Sequence, residues 1–154
     1  MIKYPTYGQQ PVLLDHFEIE EFDSPDAPGS GNKMRAKFLL MYNLARNYAD
    51  IPFVVNSGYR TKAYNQKVGS KPKSSHTRGW AADTLALTIG EQILIVRAGR
   101  NAGFNRFGIY KTFIYMDCDP TKKQNVAWFE KDIKAVAKGG DFLKAGFPFD
   151  PFTV

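Results

Sequence analysis

Ser75-His76-Thr77-Arg78-Gly79-Trp80-Ala81-Ala82-Asp83 is the stretch on which the fold reading turns. His76 follows a Lys/Ser/Pro loop, and Gly79 permits a sharp turn behind it. Ala81 and Ala82 are small, as a backbone packed close to a metal would need. Asp83 opens a predicted strand, Asp83 to Leu87. A histidine and an aspartate joined by a tight glycine turn can converge on one ion. A hydrolytic zinc site needs about three such protein ligands and an open position for water. By spacing alone, the same residues also suit an ordinary loop carrying a surface histidine.

Upstream lies Asn56-Ser57-Gly58-Tyr59-Arg60-Thr61, with Asn65 beyond it. Arg60 follows a predicted short buried strand, Phe53 to Asn56, at an end where a loop can face the same cleft. A fixed cation there can hold a substrate carboxylate or a developing oxyanion. Ser-Gly-Tyr-Arg is equally compatible with plain turn chemistry. Further upstream, Met34, Phe38, Met41, Leu44 and Tyr48 recur at three- and four-residue steps, which predicts a core-facing helix capped by Ser30 or Asn32. Downstream, Thr88-Ile89-Gly90-Glu91 has capping-box spacing and predicts a helix through Ile93 and Val96 to near Gly103. Strands are expected at Phe107 to Tyr110, Phe113 to Cys118 and Val126 to Phe129. Helices first and an antiparallel sheet later imply an α+β fold. The tail, with Gly139, Gly140, Gly146, Pro148 and Pro151, reads as extended.

The 154 residues suit a single domain, 1–154, with enough chain to bury a core. Cys118 is the only cysteine, which excludes internal disulfides and Cys-rich structural zinc. The start of the chain lacks the apolar segment of a signal peptide, and no run of about eighteen apolar residues predicts a membrane span. The net charge of +6 is scattered, with Lys71, Lys73 and Arg78 near the motif and Lys131, Lys134 and Lys138 near the end. No dense basic arm asks for nucleic acid.

Ser57-Gly58-Tyr59-Arg60, Asn65, the element Ser75-His76-x-x-Gly79-x-Ala81-x-Asp83 and the late strand Phe113-Ile114-Tyr115-Met116-Asp117 together resemble the zinc D-Ala-D-Ala carboxypeptidase and L-alanyl-D-glutamate peptidase family. The likeness runs from about Phe17 to Phe129, and the entry, Phe17 to Phe22 followed by the Asp23 loop, looks like the family's short phage-type members. It implies the compact α+β fold shared with hedgehog domains, an antiparallel sheet with flanking helices. It implies zinc as cofactor, His76 and Asp83 as ligands, and the peptide stem of peptidoglycan as substrate. Tyr59, Arg60 and Ser75 would contact substrate, with Arg60 also catalytic. The implied protein is a monomer made in the cytoplasm, phage- or prophage-encoded, and acting at the cell wall.

The family's third ligand is a histidine in the late strand, and Tyr115 stands at that position. Only His16 and His76 exist in the chain, and His16 reads as a surface or capping residue. Three alternatives follow. Tyr115 binds the metal itself. Asp117, otherwise the best carboxylate for proton transfer, replaces it. Or the protein is a metal-free or impaired wall-binding pseudoenzyme. Cys118 falls on the opposite strand face and reads as a buried hydrophobe. Trp80, Trp128, Phe104 and Phe107 read as core.

Overall fold

The computed structural model of the chain describes residues 5–8, 10–130 and 132–137. The glycine- and proline-rich tail, with Lys131 and Lys138, lies outside them. A short hairpin, β1 (Thr6–Tyr7) and β2 (Gln10–Pro11), precedes the main sheet. That sheet contains β3 (Val55–Ser57), β4 (Ala81–Leu85), β5 (Arg106–Ile109), β6 (Phe113–Asp117), β7 (Val126–Phe129) and β8 (Asp132–Ala137), in the spatial order β3-β4-β6-β5-β7-β8. The helices are α1 (Ala36–Ala49), α2 (Lys62–Lys67) and α3 (Ile89–Asn101). This is the expected α+β class, a sheet flanked by helices. Among the described residues no helix is long and apolar enough to cross a membrane.

Neighbouring strands in the sheet are antiparallel except β5 and β7, which run parallel. The cause is topological. β6 folds back on β5 and ends beside Arg106, where β5 begins. The chain then crosses that end of β5, and β7 starts opposite Arg106 on its other side.

Period-two alternation divides the sheet into two faces. Ala82, Thr84, Phe107, Ile114, Met116 and Ala127 all point to one face and are buried. α1 and α3 cover it: Gly99 of α3 lies against the Phe107 ring, and Tyr42 of α1 meets Thr84 Oγ1 at 2.6 Å. Phe38 stacks on Tyr42 at 5.3 Å between ring centroids, and Phe22 and Phe104 pack edge-on beside them. Each such buried aromatic contributes about 1.5–3 kcal/mol. The opposite face carries Asp83, Tyr115 and Trp128, so the helices leave it open for a site.

Several local expectations shift. α1 begins at Ala36 with Arg35 at its N-cap and no side-chain cap. Ser30 instead accepts from the Ser24 amide, in a 3-10 turn, Ser30–Lys33. The buried stripe is Phe38, Leu39, Tyr42, Ala45 and Ala49, whereas Leu44 and Tyr48 are exposed. Apolar residues cover more than half of this helix, so periodicity alone allowed two stripes one residue apart. The strand expected at Phe53 to Asn56 lies at Val55–Ser57, on the sheet edge. β4 starts two residues before Asp83, which therefore sits mid-strand. Ala82 is small because it packs in the core beneath the helices. Thr88 caps α3 as expected, but the Glu91 carboxylate accepts from the Leu87 amide, so the reciprocal half of the box is displaced by one residue.

Candidate functional site

The register of the sheet builds the site. Ser57 of β3 lies opposite Asp83 of β4, Asp83 opposite Tyr115 of β6, Tyr115 opposite Gly108 of β5, and Gly108 opposite Trp128 of β7. Residues paired in this way share a face. One transverse row across five strands thus carries Asp83, Tyr115 and Trp128 side by side. Gly108 is the gap in the row. A Cβ there would stand 2.7 Å from Trp128 Nε1 and 2.7 Å from Tyr110 Cε2. Its absence lets the indole close over the strand to within 5.3 Å of the Tyr115 ring.

His76 reaches this row from a 3-10 turn, Ser75–Arg78, whose N-cap Ser74 accepts from the His76 amide. The turn ends at Gly79 with φ 77, where a side chain would collide with the Lys33 carbonyl. Gly79 O accepts from the Arg35 amide at 3.0 Å, which docks the turn on the start of α1. His76 Nδ1 donates to Gly58 O at 2.7 Å. Nδ1 therefore carries a proton, and Nε2 is the ring nitrogen turned toward Asp83. Nε2 stands 3.5 Å from Asp83 Oδ2. A separation of this size suits two atoms that share one metal ion. Two ligands each about 2.0–2.2 Å from a tetrahedral zinc stand roughly 3.3–3.5 Å apart. Arg60 Nη2 meets the same Asp83 oxygen at 3.3 Å, and its Nε donates to Ser57 Oγ at 2.9 Å.

A cleft of about 360 Å³ opens here, lined by Arg60, Ser74, His76, Asp83, Tyr115 and Trp128 among others. Tyr115 is at the cleft, its ring edge-on to His76 at 5.5 Å. Its hydroxyl, however, donates to Asp117 Oδ2 at 2.5 Å. Burial and the neighbouring Asp117 carboxylate push the phenol well above its usual range. Asp117 is fully buried and does not line the cleft. It also accepts from Arg106 Nε at 2.8 Å and from the Asp119 amide at 3.0 Å.

The remaining expected residues divide. Ser75 is fully buried and donates to Asp119 Oδ2 at 2.7 Å, so Ser74 lines the cleft in its place. Tyr59 lies outside the cleft lining, packed against the core with Lys33 Nζ 5.5 Å above its ring. Asn65 is buried and donates to Lys71 O at 2.9 Å, fastening the loop before the motif. His16 is exposed and bonds Asn47 Oδ1 at 2.6 Å. Cys118 packs against the core, its thiol pushed up to about 12 by burial. Phe104 and Phe107 are core, but Trp128 lines the cleft, a correction that follows from its place in the row.

Sequence reasoning missed Arg106 and Asp119. Arg106 locks Asp117 and lies 5.7 Å from the Trp128 ring. Asp119 accepts from Ser75, Arg78 and Thr121. Burial raises its carboxyl, but those hydrogen bonds prevail and hold it below the usual range. No local signal marks them, since Arg106 meets Asp117 only as a register partner and Asp119 lies beyond the end of β6.

As a zinc-binding set, His76 and Asp83 fit: both are buried, the imidazole is held in place by Gly58 O, and their separation suits one ion. Among the described residues no third His, Cys, Asp or Glu joins them. Tyr115, the remaining oxygen donor, would have to give up its bond to Asp117 to serve. The sequence profile of the peptidase M15 family matches residues 17–119. The comparison with curated proteins gives no match.

Proposed function

The chain belongs to the peptidase M15 family, and on that footing we propose that it is a zinc-dependent peptidase acting on the D-amino-acid-containing peptide stem of bacterial peptidoglycan. The reading is of a carboxypeptidase-like enzyme of cell-wall hydrolysis, in the manner of a phage lysin. The observation that carries it is the pair of ligand-type atoms, His76 Nε2 and Asp83 Oδ2, facing each other at 3.5 Å in the cleft.

His76 and Asp83 would hold the ion, with Tyr115 as a weak third ligand. Zinc bound there would lower the pKa of its water and polarise a scissile carbonyl. Gly58 O orients the imidazole, as metal-binding histidines commonly require. Arg60 steadies Asp83 through one Nη and Ser57 through Nε, leaving its other N–H groups for a substrate carboxylate or oxyanion. Asp117 acts on the reaction only through Tyr115, as a positioning residue. Trp128 shields one side of the row from water.

Purified protein should carry near-stoichiometric zinc and release D-alanine or stem peptides from cell wall. A metal-free preparation that stays inert after zinc is added sinks this reading. One observation favours a second reading, a wall-binding module without catalysis: the Tyr115 hydroxyl is committed to Asp117. It expects wall binding that survives chelation, and hydrolysis that appears only with Tyr115→His.

A further inference from the structure

A second groove, of about 480 Å³, adjoins the candidate site and shares Ser70, Ser74, Tyr110 and Trp128 with it. Lys71 and Lys122 stand on its walls. The loop that carries Lys122 is pinned. Gln124 Nε2 donates to Lys122 O at 2.7 Å, and Arg106 Nη1 donates to Lys123 O. The aromatic wall is equally fixed, because Trp128 Nε1 donates to Tyr110 Oη at 3.0 Å.

Lys122 is half-buried, and burial lowers its basicity despite the attraction of Asp117 and Asp119. Both acids are already committed, Asp117 to Arg106 and Tyr115, Asp119 to Arg78 and Ser75. Among the described residues the Lys122 ammonium has no hydrogen-bond or ion-pair partner. The acid on the groove wall, Glu130, is turned to the Lys111 amide at 2.9 Å. A partly desolvated cation whose neighbouring carboxylates are engaged elsewhere is stabilised when an external anion meets it directly.

We infer that this groove is a substrate subsite in which Lys122, assisted by Lys71, binds a carboxylate of an acidic peptide held against Trp128 and Tyr110. It rests on the proposed function, since the peptide would run on into the His76–Asp83 cleft. It also adds a selectivity: stem peptides with a free carboxylate are preferred over their amidated forms.

The test uses the full chain, a D-glutamate-containing tetrapeptide and the same peptide with D-glutamine, titrated by calorimetry with a chelator present to prevent hydrolysis. The acidic peptide should bind roughly tenfold tighter. Lys122→Met should bring its affinity down to that of the amide, and Lys122→Arg should keep the preference. Circular dichroism confirms that each variant is folded. The subsite is overturned if the wild-type chain binds both peptides equally, if Lys122→Met keeps the preference, or if inorganic phosphate competes as well as the acidic peptide. Equal binding of both peptides, or binding of neither, overturns the subsite alone; the proposed function falls only on the absence of zinc-dependent hydrolysis.

Discussion

Tyr115→His is the perturbation that tests the site most directly. Tyr115 lies opposite Asp83 in the sheet register and edge-on to His76. To bind a metal at pH 7 a phenol of ordinary pKa about 10 must lose a proton at a cost of about 4 kcal/mol. In this fold the cost is larger, because burial and Asp117 push that phenol further up. A neutral imidazole has no such cost. One of its ring nitrogens would face Asp117, recreating the carboxylate–histidine arrangement that supports metal ligands, and the other would join His76 and Asp83. Zinc affinity at pH 7 should therefore rise by at least about a thousandfold. Competition against a chelator of known affinity measures this directly, with circular dichroism as the check on folding. Wild-type affinity should also climb with pH as the ligand proton is released, and the variant's should climb less. A folded Tyr115→His chain that binds zinc no tighter than wild type would refute the reasoning, because the row would then not point at the His76–Asp83 pair.

Gly108→Ala should cost about 1–3 kcal/mol by overpacking and shift the Trp128 fluorescence, because the new methyl meets that indole; urea denaturation read by fluorescence reports both. Asp119→Asn should destabilise by about 1–3 kcal/mol, since four donors lose a charged acceptor. The folded pKa of Asp119 is depressed, so its contribution is present above the unfolded value near 3.9 and lost as pH falls through the lower folded value. Thermal melts should accordingly decline less steeply in acid for Asp119→Asn than for wild type, and parallel declines would contradict the assignment. Tyr42→Phe removes the buried bond to Thr84 and should cost about 1–2 kcal/mol in chemical denaturation without changing zinc affinity.

Much of the fold was legible residue by residue. Thr88, Ile93 and Val96 announce α3, and alternation over Phe113 to Asp117 announces β6. Local chemistry is enough where one face is distinctly apolar. It fell short at α1, where Leu44 and Tyr48 imitate the buried Phe38 and Tyr42, and at α2, a six-residue helix started by Thr61 with too little length to show a period. It also fell short for the parallel pairing of β5 and β7, which depends on which side of β5 the chain passes. At the site, His76, Asp83 and Arg60 were legible because their motif is local. Trp128 and Arg106 were not, because register alone brings them beside Tyr115 and Asp117.

By itself, the sequence determined which donors exist: the Ser75–Asp83 stretch supplies one histidine and one aspartate, and the late strand supplies a tyrosine where a second histidine would complete the set. Only the tertiary structure decided which of those atoms are free. Donor identity is covalent, but availability depends on hydrogen bonds made across strands. Gly58 O turns His76 Nε2 outward to Asp83, whereas Asp117, locked by Arg106, takes up the hydroxyl of Tyr115.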